Sequence, residues 1–156
     1  MARRFAQDTS VSVEKSRAEI EAMLVRNGAS ALMAAINATE AIIAFEMKDR
    51  KVIFRLPLPA KNEKRFMYSD NGRRIRTLDG QIKAWEQACR SRWRALALAI
   101  KAKLEAVAIG ITTFEDEFLA HIMMPDGMTV GQHTRPLIAE SYKSGNVPPL
   151  LPGPKS

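Results

Sequence analysis

Residues 78–109 read LDGQIKAWEQACRSRWRALALAIKAKLEAVAI and form the longest stretch of regular hydrophobic spacing in the chain. The apolar side chains recur in steps of three or four, the repeat of one face of an α-helix. They are Ile82, Trp85, Cys89, Trp93, Leu96, Ile100, Leu104 and Val107. Basic residues occupy the other side, and Gly110 follows the last turn. The pattern predicts one amphipathic helix from Leu78 to Ile109, about 48 Å long at 1.5 Å per residue.

Three short segments before this helix predict an antiparallel β-meander. The strands are expected at Leu32 to Asn37, Ile42 to Met47 and Val52 to Leu56. Alternation places Ile43, Phe45 and Met47 on one face of the middle strand. Arg55 falls on the opposite face of the sheet, and the polar residues 48–51 are short enough for a hairpin connection. The alanines of the first strand suit a helix equally well, so both interpretations stay open there.

A shorter helix is predicted before the meander, over residues 13–27. Ser16 and Glu19 have the spacing of a capping box, and Ser12 is an alternative N-cap. The pair Asn27-Gly28 is the predicted C-cap, because both residues tolerate the left-handed conformation.

Two more short helices are predicted after the long one. Thr112 and Glu115 have capping-box spacing at the start of the first. The second is expected over residues 136–143, with Thr134 as its cap and Gly145 as its end.

These elements predict a single α+β domain over residues 12–145. Residues 1–11 show no periodicity and are interpreted as a flexible arm. Residues 146–156 are proline-rich and predict an extended tail, and residues 60–77 predict a basic loop without helix or strand. A short hairpin inside that loop is the alternative.

Positive charge is concentrated in the middle of the chain. The 56 residues from Lys48 to Lys103 hold sixteen Lys and Arg against five Asp and Glu, a local net of +11. The remaining residues hold eight basic and twelve acidic side chains, a net of −4, which leaves +7 overall. Such segregation favours capture of a polyanion, although a solvated, solubilising face and an acidic protein partner remain alternatives.

The residue types favour binding over catalysis. The glycines form neither a phosphate-binding loop nor a dinucleotide fingerprint. His121 and Glu117 could supply two metal ligands, but two ligands do not make a site. Cys89 lies on the apolar stripe of the long helix, which indicates an inert core thiol. The chain is therefore predicted to be non-enzymatic, with no catalytic residue, metal or cofactor.

Cationic and aromatic side chains together predict a nucleic-acid site. Single-strand binding needs a basic groove for phosphates and aromatic faces for bases. The candidate residues are Lys51, Arg55, Lys64, Arg65, Phe66, Tyr68, Arg73, Arg74, Arg76, Arg90 and Arg94. Phe66 and Tyr68 are the candidate stackers, and packing of the loop against the sheet is the other interpretation of Phe66. We expect sequence-tolerant binding, with single-stranded DNA favoured.

Three segments resemble uncharacterised proteins of temperate bacteriophages: residues 85–96 (WEQACRSRWRAL), residues 110–118 (GITTFEDEF) and the turn at residues 125–127. The resemblance implies a protein made in the cytoplasm of an infected bacterium, and it supplies no catalytic residues. A helix beside a meander is also similar, as a fold-level analogy, to phage single-strand annealing proteins. The alternative function is a phage protein that binds and modulates a host or phage protein.

Two further expectations concern partners and location. The exposed edge of the meander beside a long helix predicts self-association. No apolar run reaches the roughly 18 residues of a membrane span, and no apolar stretch follows the N-terminal arginines as in a secretory signal, so membrane association and secretion are not expected.

Overall fold

The computed structural model describes residues 6–154 and confirms an α+β fold. Two helices lie on one face of a three-stranded sheet, and short helices follow at the C-terminal end. The elements are α1 (Val13–Arg26), β1 (Ala31–Ile36), β2 (Glu40–Met47), β3 (Arg50–Pro57), α2 (Lys64–Met67), α3 (Leu78–Ala108), α4 (Phe114–Phe118), a 3₁₀ turn (Leu119–His121) and α5 (Val130–Ser144).

The sheet is the predicted meander, with strand order β1-β2-β3 and both pairs antiparallel. The first strand is a strand and not a helix, because its alternate residues face the core and solvent. Asn37 stabilises the first turn by accepting the backbone N–H groups of Thr39 and Glu40 at 2.9 Å each. The second turn has two residues, Lys48 and Asp49, both with positive φ, so the hairpin is tighter than the four-residue connection predicted.

The hydrophobic core lies between the sheet and the pair α1 and α3. Ile43, Phe45 and Met47 face it as predicted, and Trp93 of α3 is 1% exposed at its centre. Phe118 closes the core with edge-on contacts to two phenylalanines of the sheet, at centroid distances of 5.9 and 6.1 Å. The buried stripe of α3 begins at Cys89, so the N-terminal turns of that helix extend beyond the sheet.

Residues 60–77, named here the basic module, are not the structureless loop that the sequence favoured. They contain α2 and a small hairpin, which was the alternative prediction. Tyr68 pairs with Ile75, and the Ser69 N–H donates to the Arg74 carbonyl at 2.8 Å. The module is ordered because Phe66, 4% exposed, anchors α2 against α3.

The C-terminal helices begin at different caps from those predicted. The cap of α4 is Thr113 and not Thr112. The Thr113 hydroxyl accepts a hydrogen bond from the backbone N–H of Asp116. In α5 the cap is Thr129, which forms a capping box with Gln132. The helix therefore starts at Val130, before residue 136.

Thr134 lies inside α5, where its hydroxyl donates to the Val130 carbonyl at 2.9 Å, so its predicted role as a cap is wrong. Gly145 ends the helix as predicted, in the left-handed conformation with φ 77°.

Ser12 caps α1. Ser16 does not cap the helix; it lies within α1 and is fully buried. The Ser16 hydroxyl is not hydrogen-bonded to any described residue. Because a buried hydroxyl without a partner costs free energy, we expect Ser16→Ala to raise the free energy of unfolding by about 1 kcal/mol.

Ser12→Ala is the matched control for that substitution. It removes the bond to the Lys15 N–H and should lower the free energy of unfolding by about 1 kcal/mol. Urea unfolding of both variants measures the two effects. A loss of stability in Ser16→Ala would show that the hydroxyl is hydrogen-bonded in solution.

His121 lies at the edge of the core, with its ring stacked on Phe54 at a centroid distance of 4.1 Å. Burial lowers the pKa of His121 below 6.5, the nearby Lys103 ammonium lowers it further, and a hydrogen bond to the Ile53 backbone opposes both. Lys103 itself donates to Glu117 at 3.3 Å, so that carboxylate faces the same region.

This lowered pKa predicts a pH-dependent stability. The unfolded chain binds the proton more readily, so the contribution of His121 is complete above pH 6.5 and is lost as the pH falls below it. We expect His121→Phe to flatten the dependence of unfolding free energy on pH in this range. Denaturant melts of both proteins at several pH values test this, and identical slopes would contradict it.

Candidate nucleic-acid interface

The predicted basic residues do not lie on one surface. Lys51 and Arg55 are on the outer face of the sheet, the face away from α3. Both are paired with acids, Lys51 Nζ with Glu46 at 3.7 Å and Arg55 Nη1 with Glu40 at 2.9 Å. Lys51 and Arg55 therefore lie apart from the arginines of α3, on the sheet face to which strand alternation assigns Arg55.

Arg90 and Arg94 do not line the groove between the basic module and α3. Arg94 donates to Glu19, which joins α3 to α1, and Arg90 donates through Nε to the Gln87 amide oxygen at 3.1 Å. The Arg94 pair is partly buried and fastens two helices together. These two residues therefore have structural contacts where the sequence suggested a phosphate-binding role.

Three arginines line one groove between the basic module and α3. This loop–α3 groove has a volume of about 860 Å³, and its lining contains Arg65, Arg76 and Arg92 as well as Asp8 and Asp70. Small side chains of α3 form its floor, which leaves the helix surface accessible. They are Ala84, Ala88, Ser91, Ala95 and Ala99.

Arg76 holds the basic module together from within. Its guanidinium donates to Asp70 at 2.7 Å and to the carbonyls of Arg65 and Phe66 at 3.3 and 3.4 Å. These bonds tie the hairpin to α2, so Arg76 has a structural role in addition to lining the groove.

Arg65 is held beside α2 by a second set of contacts. It pairs with Glu63 at 2.6 Å and lies over the Phe66 ring, 4.7 Å from its centroid. A bond from the Ala60 N–H, with Arg65 contributing less, lowers the pKa of Glu63 below its usual value. The carboxylate therefore stays ionised and positions Arg65 at the mouth of the groove.

Three exposed cations of the basic module have neither an acidic partner nor an aromatic contact among residues 6–154. They are Lys64, Arg73 and Arg74, whereas Lys61 lies over the Trp85 ring. The Asn71 side chain accepts the Arg73 N–H at 3.0 Å and shapes the turn that presents both arginines. An anion can therefore bind these cations without breaking an existing ion pair.

Of the two predicted stackers, only Tyr68 is accessible. Its side chain is 43% exposed beside the turn. Phe66 is buried and covered by Arg65, so its predicted role as a base stacker is wrong, and local packing is the correct interpretation.

A second groove, on the α1 side of α3, contains aromatic residues that the sequence placed in the core. It has a volume of about 850 Å³, and Trp85 forms part of its wall. The indole Nε1 donates to the Pro59 carbonyl at 2.8 Å, and Lys61 Nζ lies 4.6 Å from the ring centroid. Trp85 is only partly buried because it precedes the point where α3 reaches the sheet, a position that helical periodicity alone does not show.

The groups that could carry metal or thiol chemistry are dispersed. Within residues 6–154 no three His, Cys, Asp or Glu side chains are grouped to hold one metal ion. Cys89 is buried, and this burial raises the pKa of its thiol, with Glu86 adding to the effect. His133 Nε2 lies 2.7 Å from Asp126 Oδ2, far along the chain from the basic module.

The chain matches no family model, no curated protein and no solved structure. Its function therefore has to be inferred from the arrangement of its own side chains. Among the described helices, none is both long enough and apolar enough to cross a membrane.

Proposed function

We propose that the protein binds nucleic acid without sequence preference, with single-stranded DNA favoured, through the loop–α3 groove. The observation that supports the proposal is the set of unpaired cations, Lys64, Arg73 and Arg74, in the same basic module that supplies two of the three arginines lining the groove. Phosphate contacts position a strand whatever its bases are, so this arrangement fits sequence-tolerant binding.

The loop–α3 groove and the exposed side chain of Tyr68 favour binding of a single strand over binding of a duplex. Tyr68 lies next to the cations that would contact phosphate, so a base could stack on its ring while the backbone follows the groove. Such stacking needs an unpaired base. The phage resemblance agrees with this function, and we place the protein in the bacterial cytoplasm as part of the same proposal.

The direct test is a titration of the full chain against a labelled single strand, a matched duplex and an RNA strand of the same length. We expect the single strand to bind best, with the logarithm of affinity falling linearly as the logarithm of salt rises between about 50 and 200 mM. The slope should correspond to about 0.7 per phosphate contacted. Absence of micromolar binding to all three at low salt would overturn the proposal.

The alternative function, modulation of an acidic protein partner, is distinguished by one further titration. A polyglutamate chain of equal charge carries no bases. If it binds as tightly as the oligonucleotide, the surface recognises negative charge alone, and the nucleic-acid proposal fails.

Tyr68→Ala separates stacking from charge. We expect it to weaken single-strand binding by about 1–3 kcal/mol and to leave the salt slope unchanged, because no phosphate contact is lost. Tyr142→Ala is the control, since this second tyrosine is exposed on α5 and lies outside the basic module. An unchanged affinity in Tyr68→Ala would exclude base stacking at this position.

A further inference from the structure

The two edges of the sheet differ in how their backbone groups are satisfied. At β3, the segment after the 3₁₀ turn covers the outer edge. The Met123 N–H donates to the Lys51 carbonyl at 2.8 Å, and Val52 pairs with Ile122. No described residue pairs in this way with the outer edge of β1.

The register identifies which groups of β1 point outward. The Asn37 N–H donates to the Glu40 carbonyl at 2.9 Å, so the odd-numbered residues of β1 bond to β2. Leu32, Ala34 and Ile36 therefore direct their N–H and C=O groups away from the sheet. This edge offers three donors and three acceptors at regular spacing.

The edge also lacks the features that usually prevent an edge strand from pairing with a strand of another molecule. The strand reads ALMAAI, with neither a charged residue nor a proline, and its ladder to β2 pairs every residue without a bulge. The uncharged stretch extends over residues 27–39, in a chain with 24 basic and 17 acidic residues. Met33 and Ile36 are 54% and 50% exposed on it.

We propose that β1 pairs with β1 of a second copy of this chain, antiparallel, about a two-fold axis at Ala34. In this register Leu32 lies opposite the partner's Ile36, and the two Ala34 residues face each other. Every outward N–H then meets an outward carbonyl, which gives about six backbone hydrogen bonds. The small Ala34 side chain leaves room at the axis, and Met33 lies beside the partner's Ala35.

A second copy fits this edge better than a different polypeptide would. The three outward residues are symmetric about Ala34, so the same strand supplies donors and acceptors in matching positions. Two copies can approach here without ionic repulsion because the stretch is uncharged, although the protein carries +7 overall. The product is a six-stranded sheet with the helices of both copies on one side. This proposal does not depend on nucleic-acid binding.

Sedimentation of the full chain at increasing concentration tests whether the dimer forms. We expect a dimer in the wild type and a rise of roughly tenfold or more in the dissociation constant of Met33→Lys, which brings two ammonium groups together at the edge. Ile111→Lys is the control, because Ile111 is exposed, lies away from the sheet and gives the same charge change. A strict monomer in the wild type overturns the proposal.

The register is tested by disulfide cross-linking. Ala34→Cys places two thiols opposite each other, with Cα atoms about 5.5 Å apart, a separation that a disulfide spans. In Ala31→Cys, on the same strand, the two thiols are about 20 Å apart along the paired strands. We expect a cross-linked dimer under mild oxidation only for Ala34→Cys. Cross-linking of Ala31→Cys, or of neither variant, contradicts this register.

Discussion

Replacing Lys64, Arg73 and Arg74 together by alanine is expected to weaken single-strand binding about a hundredfold. Each loses a charge-assisted contact of about 1 kcal/mol to phosphate. The salt slope should become shallower by about 2, because fewer counterions are released. Folding should be nearly unchanged, since exposed cations without partners contribute little to stability. Arg76 is kept because it holds the module together.

A matched triple variant separates the groove from net charge. Lys101, Arg135 and Lys143 are exposed, and the structure gives none of them an acidic partner within residues 6–154. Their replacement by alanine removes the same charge from surfaces outside the basic module. We expect only a small loss of affinity. Equal losses in both triple variants would show that diffuse charge, and not the basic module, binds the strand.

Trp93→Ala is expected to lower the free energy of unfolding by about 3–5 kcal/mol. The side chain is almost completely buried between α3, α1 and the sheet, so its removal leaves a large cavity that neighbouring groups cannot fill. A domain of this size is marginally stable, and the loss is a large fraction of its total stability. Urea unfolding followed by circular dichroism measures it.

Trp85→Ala is the comparison for Trp93. Trp85 loses its bond to the Pro59 carbonyl and its contact with Lys61, and we expect a cost of about 1–2 kcal/mol. Similar losses in the two variants would mean that Trp93 is less buried in solution than described here.

The regular elements could be predicted because their patterns are local. The spacing of three and four residues defines α3 from Leu78 onward, and alternation identifies the core face of β2. Caps are harder to predict from sequence, because Thr112 and Thr113 both satisfy the local rule and only the backbone geometry separates them. The prediction of Thr134 as a cap is wrong for a related reason, because a threonine can also form a hydrogen bond to a carbonyl within the helix.

The candidate site was harder to predict because the fate of a basic residue depends on distant acids. Arg94 and Glu19 are 75 positions apart in the chain, and no local pattern shows that they meet. Phe66 belongs to a polar segment, yet its contact with α3 buries it. Charge density identifies the region of the chain that contains the candidate site, whereas the division between paired and unpaired cations requires the three-dimensional arrangement.

The late position of α3 in the chain has a consequence for synthesis on the ribosome. The meander is complete at Pro57, but the helix that covers its apolar face contributes its deepest residues only from Trp93 to Leu104. At bacterial and eukaryotic elongation rates, this interval lasts roughly 2 to 10 s. During it, the nascent chain exposes Ile43, Phe45 and the neutral edge of β1 together. Aggregation and chaperone binding should therefore be most frequent in chains stalled between these points, and rare once Leu104 has emerged.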